Sequence, residues 1–492
     1  MNLLAFDLGS SNGRAMLGEY DGSRLKLKEV HRFTNETVNL RGELYWNAAG
    51  LFAEIKKGLL EALKESEGEI ESLGISTWGV DYALLDGEGR LISNPYSYRD
   101  QRTKPIPDQV FAIMPHEEIY DRTGIQFMRL NTLYQLYAEK KKRGWALDAA
   151  ERLLFLPDLF NYLLTGVKRA EETITSTSQL YDPRSRDWVS EIFERLELPG
   201  KLKEEIISPA QKLGNLSSEV AEELNLSQDI SVTAVGGHDT ASAVAGTPLE
   251  DPENSVFISS GSWSLLGMEL NEPIINKASR KANFANEVGL AGTIRFLTNI
   301  SGLWLIQECK RNWEKKGRNL SYEDISQKAA EAESFKFLLD PNRPRFLDRQ
   351  DMPSTIRDYC RETEQPVPEN YGEMARGIYE SLALSYRHEI ERLSELVDRE
   401  PKNINIVGGG IKAEILSQLT ADATGYRVVT GPVEATAAGN ILAQLLARDE
   451  LADLEEGRTL IENSFELTEY HPRSGEGWDE AYRRFRKLVN RD

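Results

Sequence analysis

An apolar run stopped by a glycine, and followed at once by a second strand-like run, occurs twice in this chain. This repeat constrains the fold more than any other feature of the sequence. The first copy is Ala5-Phe6-Asp7-Leu8-Gly9-Ser10, continued by Arg14 to Tyr20. The second is Phe257-Ile258-Ser259-Ser260-Gly261-Ser262, continued to Met268. In the first copy, Asp21-Gly22 leads into Leu25 to Phe33, a hairpin signal. Leu51, Phe52, Ile55, Leu59 and Leu63 then share one face and predict a helix over 47–63. Strands are expected over 70–77 and 80–85. After the second copy, Met374, Ile378, Leu382, Tyr386, Ile390 and Leu393 mark a long helix. A strand over 403–407, the turn Gly408-Gly409-Gly410 and a helix from about Ala413 follow. Apolar runs alternating with 3.6-residue periods predict an α/β fold. The repeat predicts an internal duplication into two similar domains, 1–245 and 246–492. The prolines and glycine of 246–252 mark the linker. Residues 317–370, polar and rich in proline, are expected to form loops.

The 492 residues suffice for more than one core, and their net charge is −20. Such a field repels nucleic acid and anionic lipid. It also repels ATP, so a nucleotide enzyme of this charge must rely on backbone amides, Mg²⁺ and a few local cations. No run approaches the roughly 20 apolar residues of a membrane span. The first residues lack a basic region and read as a strand, which predicts a cytoplasmic protein. The two cysteines, Cys309 and Cys360, have no metal-ligand spacing and read as free thiols. The five histidines are scattered, which argues against a zinc site.

Four segments carry chemistry. In Asp7-Leu8-Gly9-Ser10-Ser11-Asn12-Gly13-Arg14, a strand end delivers Asp7 where α/β sheets bind ligands. Ser10, Ser11, Asn12 and Gly13 suit a phosphate, Arg14 adds a cation, and Asp7 suits Mg²⁺ held through water. The same residues also describe an ordinary hairpin turn. In Gly236-Gly237-His238-Asp239-Thr240, Asp239 stands at a strand's end and a helix's start, as a general base would and as a plain helix cap would. His238 is either a site residue or a structural histidine. Val407-Gly408-Gly409-Gly410-Ile411-Lys412-Ala413 fits a dinucleotide fingerprint, but the next strand ends in Thr430 rather than an acid. A turn on which adenine lies flat is the better reading. No Walker lysine motif exists, which excludes a P-loop kinase. In Ser76-Thr77-Trp78-Gly79-Val80-Asp81 with Tyr98-Arg99-Asp100-Gln101-Arg102-Thr103, Trp78 offers an apolar wall for a sugar. Asp81, Asp100 and Arg102 offer partners for hydroxyls. A core tryptophan with a surface ion pair explains the same residues.

Together these segments resemble the FGGY carbohydrate kinases, from Asp7 to about Leu446. The supporting motifs are Thr77-Trp78-Gly79-Val80-Asp81, Tyr98 to Thr103, Gly124-Ile125-Gln126-Phe127 with Asn131 to Leu136, His238 to Ser242, Asn299 to Gln307, and Gly431-Pro432-Val433-Glu434-Ala435. The resemblance implies two duplicated actin-like ATPase (ribonuclease H-like) domains with an interdomain cleft. More narrowly, the chain resembles the L-rhamnulose kinases of that family. This resemblance implies Asp239 as the base for the C1 hydroxyl, with Gly79, His238, Thr240 and Asn299 on the sugar. Ser10 to Arg14 would take the ATP phosphates, and Ser262, Gln307 and Gly408 to Gly410 would face the nucleotide. The family usually has threonine where this chain has Ser262, which keeps the hydroxyl and loses a methyl. A kinase for fuculose, xylulose or glycerol, an actin-like ATPase module and a non-catalytic sugar sensor are the rival readings. One methyl group separates such sugars by only about 1–3 kcal/mol.

Overall fold

A computed structural model of the chain describes residues 1–67, 69–346, 351–473, 475 and 477–489. Two compact units emerge, each with a mixed sheet. The first comprises Met1–Pro248, Glu269–Phe296 and Ala435–Ser464, and the second Leu249–Met268, Leu297–Glu434 and Phe465–Asp492. The boundary at Pro248 falls in the expected linker. Two later segments, Glu269–Phe296 and Ala435–Ser464, fold back into the first unit.

The duplication is visible in the strand pairings. In the first unit Asn2–Leu8 pairs antiparallel with Asn12–Tyr20 and parallel with Ser72–Thr77, which pairs parallel with Ser231–Ala234. In the second, Ser255–Ser260 pairs antiparallel with its hairpin partner starting at Trp263 and parallel with Asn403–Val407, which pairs parallel with Arg427–Thr430. Each series ends in an antiparallel edge strand, Gln211–Asn215 in one and Thr468–Tyr470 in the other. The central strands are buried on both faces, so Leu3 to Leu8 and Asn403 to Val407 read as continuous rather than alternating patterns.

Local chemistry explains the helices. Ala48–Glu65 buries Leu51, Ile55, Leu59 and Leu63 along its apolar stripe, and Asn47 caps it by accepting from Gly50 N. Tyr371–Val397 is the long helix expected from its spacing. The stretch expected to be loops is structured instead. It holds the helices Tyr322–Glu331 and Met352–Glu362. Ser321 and Asp324 form a reciprocal capping box, and Ile325, Leu338, Phe346 and Ile356 are fully buried. These helices are short and bury few apolar residues, so their period is hard to see beside the prolines. Residues 347–350 of that stretch lie outside the described ones.

Helix Ala435–Leu446 belongs to the first unit. A Cβ on Gly439 would lie 1.8 Å from Ser242 O, and one on Gly246 would lie 2.3 Å from Ala435 O. Glycine is therefore required where this helix crosses Asp239–Ala245. Asn440 Nδ2 donates to Ser76 Oγ at 3.0 Å, and Gln444 Nε2 donates to Leu4 O at 3.0 Å. Among the described residues no helix is long and apolar enough to cross a membrane. Cys309 and Cys360 are buried free thiols.

Candidate active site

The strand Ser231–Ala234 runs into Val235-Gly236-Gly237 and then into helix Asp239–Ala245. The turn is pinned by its backbone. Thr77 N donates to Gly237 O at 2.8 Å, and Gly237 N donates to Glu171 Oε2 at 3.0 Å. His238 N donates to Thr173 Oγ1 at 3.2 Å. Burial pushes the Glu171 carboxyl up to about 7, against the pull of hydrogen bonds from Thr173, Ile174 and Gly237.

Asp239 is the first helical residue and not the cap; His238 occupies the capping position and makes no side-chain capping bond. Asp239 contributes to its helix end only through the amide of Thr240 beside it. Its carboxylate accepts from Thr240 Oγ1 at 3.1 Å and lies 3.4 Å from His238 Nε2, with 30% of the side chain exposed. Loss of water raises its pKa above the ordinary carboxylate value. His238 opposes that shift and the negative charge of Asp7 adds to it. Gly79 completes this corner: a Cβ there would lie 3.3 Å from both His238 Nε2 and Thr177 Oγ1. The next residue, Val80, has φ of 67°, a left-handed backbone that β-branched residues rarely adopt. It is held by Val80 N donating to Thr177 Oγ1 at 3.2 Å and Thr132 Oγ1 donating to Val80 O at 2.7 Å.

The turn after the first strand lies in the same unit. Gly9 N donates to Asn12 O at 2.8 Å, Asn35 Nδ2 donates to Gly9 O at 2.8 Å, and Asn35 N donates to Ser11 O at 3.0 Å. These bonds use the loop's carbonyls, while the Ser11 and Asn12 side chains stay exposed. Gly13 is buried, and a Cβ there would lie 2.3 Å from the Phe33 ring. Arg99 Nη2 donates to Ser10 Oγ at 3.2 Å. Arg14 Nη2 donates to Asp7 Oδ2 at 2.5 Å. The two residues assigned above to a phosphate and a metal are therefore paired with each other here.

The remaining candidates lie in the second unit. Ser262 Oγ donates to Gln307 Oε1 at 2.7 Å, which fixes the Gln307 amide. The hydroxyl retained in place of threonine is what makes that bond. Gly408 has φ of 86°, and a Cβ on Gly410 would lie 2.0 Å from Ser260 Oγ. Gly409 has nothing within 4 Å of a Cβ position, so its backbone face is open. Asn299 is half-buried on the strand Ile294–Ser301.

The residues Trp78, Asp81, Asp100 and Arg102 are not a sugar wall. Trp78 is 6% exposed and packs on Trp46 with ring centroids 4.4 Å apart. Asp81 is fully buried and accepts from Trp46 Nε1 at 2.6 Å, Trp78 Nε1 at 2.9 Å, Gln135 Nε2 at 2.8 Å and Tyr98 N at 3.1 Å. Asp100 accepts from Leu44 N at 2.8 Å, and Arg102 donates to Gln135 O at 2.8 Å. A buried carboxylate needs such a full set of donors, and this set uses the whole group.

Two charges were missed in the sequence. Glu287 Oε2 lies 3.2 Å from His238 Nδ1, and Arg295 Nη1 lies 3.2 Å from the same oxygen. Each sits in an apolar run, Phe284 to Val288 and Ile294 to Leu297. A charge at an inward strand position has to find a partner, and that was the available signal.

The first 2–246 residues match the model of the FGGY family of carbohydrate kinases, N-terminal domain, and residues 256–448 match the C-terminal domain. The chain belongs to the FGGY family of carbohydrate kinases. It is 40% identical to the rhamnulokinase of Bacteroides thetaiotaomicron, over 99% of both chains. It is 41% identical to the rhamnulokinase of Pectobacterium carotovorum, over 99% of this chain and 96% of the relative. Solved structures share the fold. A gluconate kinase from Lactobacillus acidophilus has a TM-score of 0.79 at 14% identity, covering 99% of this chain and 96% of that one. Plasmodium falciparum glycerol kinase with ADP has a TM-score of 0.77 at 16% identity, covering 99% and 97%. FGGY sugar kinases have two actin-like ATPase domains, and the paired strand series described above are this chain's two copies.

Proposed function

We propose that this FGGY kinase transfers the γ-phosphoryl group of ATP to the C1 hydroxyl of L-rhamnulose, giving L-rhamnulose 1-phosphate and ADP. The likeness to rhamnulokinases over nearly the full length supports the sugar. The observation that carries the chemistry is the placement of Asp239: first in its helix, after His238 at the capping position, and partly exposed. As general base it accepts the hydroxyl proton while the oxygen attacks the γ-phosphorus, and the bond to the ADP oxygen breaks. Its raised pKa makes it a better proton acceptor than an ordinary carboxylate. His238, Gly79, Thr240 and Asn299 orient the sugar. Ser10 to Arg14 take the phosphates. Ser262, Gln307 and the Gly408 to Gly410 turn take the rest of the nucleotide.

The donor set at Asp7 fits Mg²⁺, which takes one or two carboxylates and completes its shell with phosphates and water. When bound with ATP, Mg²⁺ would neutralise charge on the phosphates. The two free, buried thiols support a reducing, cytoplasmic location.

The test is an ADP-release assay over a panel of ketoses and polyols, with Asp239→Asn alongside. L-rhamnulose should give the highest kcat/KM. The variant should bind the sugar but lose about two to four powers of ten in kcat. A variant within threefold of the parent would remove Asp239 from the role of base.

A further inference from the structure

Arg295 is 0% exposed, a rare setting for a permanent charge. Its Nε and Nη2 donate to Val288 O at 3.2 and 3.0 Å, and its Nη1 faces Glu287 Oε2 at 3.2 Å. Nη2 also reaches His238 Nδ1, at 3.3 Å. The guanidinium is therefore locked by a backbone carbonyl and a counter-ion, and its remaining edge is presented to one imidazole nitrogen.

Arginine has five N–H donors and no acceptor. His238 Nδ1 therefore meets two opposite demands: Arg295 Nη2 at 3.3 Å asks it for a lone pair, and Glu287 Oε2 at 3.2 Å asks it for a proton. Glu287 is already engaged by Arg295 Nη1, and Nε2 has its own acceptor in Asp239 Oδ1, which favours the tautomer protonated on Nε2. That Nε2 lies 3.4 Å from Asp239 Oδ1 and faces the space that a side chain at Gly79 would fill. We propose that Arg295, held by Glu287, is a positioning residue that keeps His238 in its Nε2–H tautomer, so that His238 donates to a sugar oxygen beside Asp239. This rests on the reading of Asp239 as the base and His238 as a sugar contact. Glu287 neutralises the buried guanidinium. Without Arg295, the Glu287 carboxylate is left 3.2 Å from Nδ1 and draws the ring proton there.

The test is a ¹⁵N–¹H correlation spectrum of the full chain labelled at its five histidines, with His238→Asn identifying the signal. The parent should show the Nε2–H pattern at His238, and Arg295→Met should show proton density moved to Nδ1. An Nδ1–H or doubly protonated His238 in the parent overturns the proposal. So does a folded Arg295→Met that keeps Nε2–H. Should Arg295→Met fail to fold, Arg295→Lys decides. A single ammonium nitrogen lacks the spread of the guanidinium fork and cannot reach both Val288 O and His238 Nδ1, so KM for L-rhamnulose should rise about tenfold, the worth of one hydrogen bond, while KM for ATP stays constant. Equal effects on both KM values, or on neither, overturn the role. An active Asp239→Asn would remove the base assignment alone, since the tautomer pattern is read independently of turnover.

Discussion

Arg14 Nη2 lies 2.5 Å from Asp7 Oδ2, with the two side chains 18% and 11% exposed. Each neutralises the other across the hairpin that the first strand makes. A phosphate arriving at Ser10 to Arg14 must compete with Asp7 for the guanidinium. Arg14→Ala should raise KM for ATP at least tenfold, as loss of a charge-assisted contact does. Sugar affinity, read by calorimetry without nucleotide, should not change.

The raised pKa of Asp239 has a stability consequence. Its folded pKa lies above the unfolded value, so the native state holds this proton more tightly. Ionised Asp239 therefore costs stability at neutral pH, and the cost is relieved as pH falls towards the ordinary carboxylate value. Asp239→Asn should melt a few degrees higher than the parent at pH 7.5, and the gain should shrink at pH 5. The acid limb of kcat/KM in the parent should lie above pH 4, roughly the reference value for aspartate. A destabilised Asp239→Asn at neutral pH would contradict the burial argument.

Asp81 should behave as a structural residue. Asp81→Ala strands the Trp46, Trp78, Gln135 and Tyr98 donors in the core and should cost about 3 kcal/mol or more. Denaturant unfolding would read that loss. A variant of parental stability with a selective rise in sugar KM would restore Asp81 to the sugar site.

Gly439→Ala places a methyl 1.8 Å from Ser242 O, against backbone that cannot swing aside. It should destabilise by about 1–3 kcal/mol or more and displace the Asp239 helix, lowering kcat as well. Gly144→Ala is the control. A Cβ there meets nothing within 4 Å, and alanine should leave stability equal or slightly higher.

The sequence disclosed what is local. The duplicated strand–glycine–strand units, the amphipathic helix after Asn47 and the position of Asp239 follow from short-range periodicity and turn chemistry. Tertiary relationships were not legible. Trp78 and Asp81 looked like a sugar wall because an indole beside a carboxylate fits a binding site and a core equally well. Only the approach of Trp46, from 32 positions earlier in the chain, decides between them. Glu287 and Arg295 gained meaning only when separate strand segments brought them to His238. The helices within 317–370 were hidden by their shortness, although the capping pair Ser321 and Asp324 was there to be read.

Helix Ala435–Leu446 crosses the helix that starts at Asp239, yet the two are separated along the chain by all of the second sheet series except its edge strand Thr468–Tyr470. During synthesis the ribosome must release most of the polypeptide before that supporting helix exists. Until then the nascent first unit lacks the partners of Ser76 Oγ and Leu4 O that Asn440 and Gln444 supply. The surroundings of Asp239 are therefore not complete when Met1–Pro248 has been translated. Catalytic competence arrives only after the chain doubles back, which couples the birth of the site to completion of nearly the whole protein.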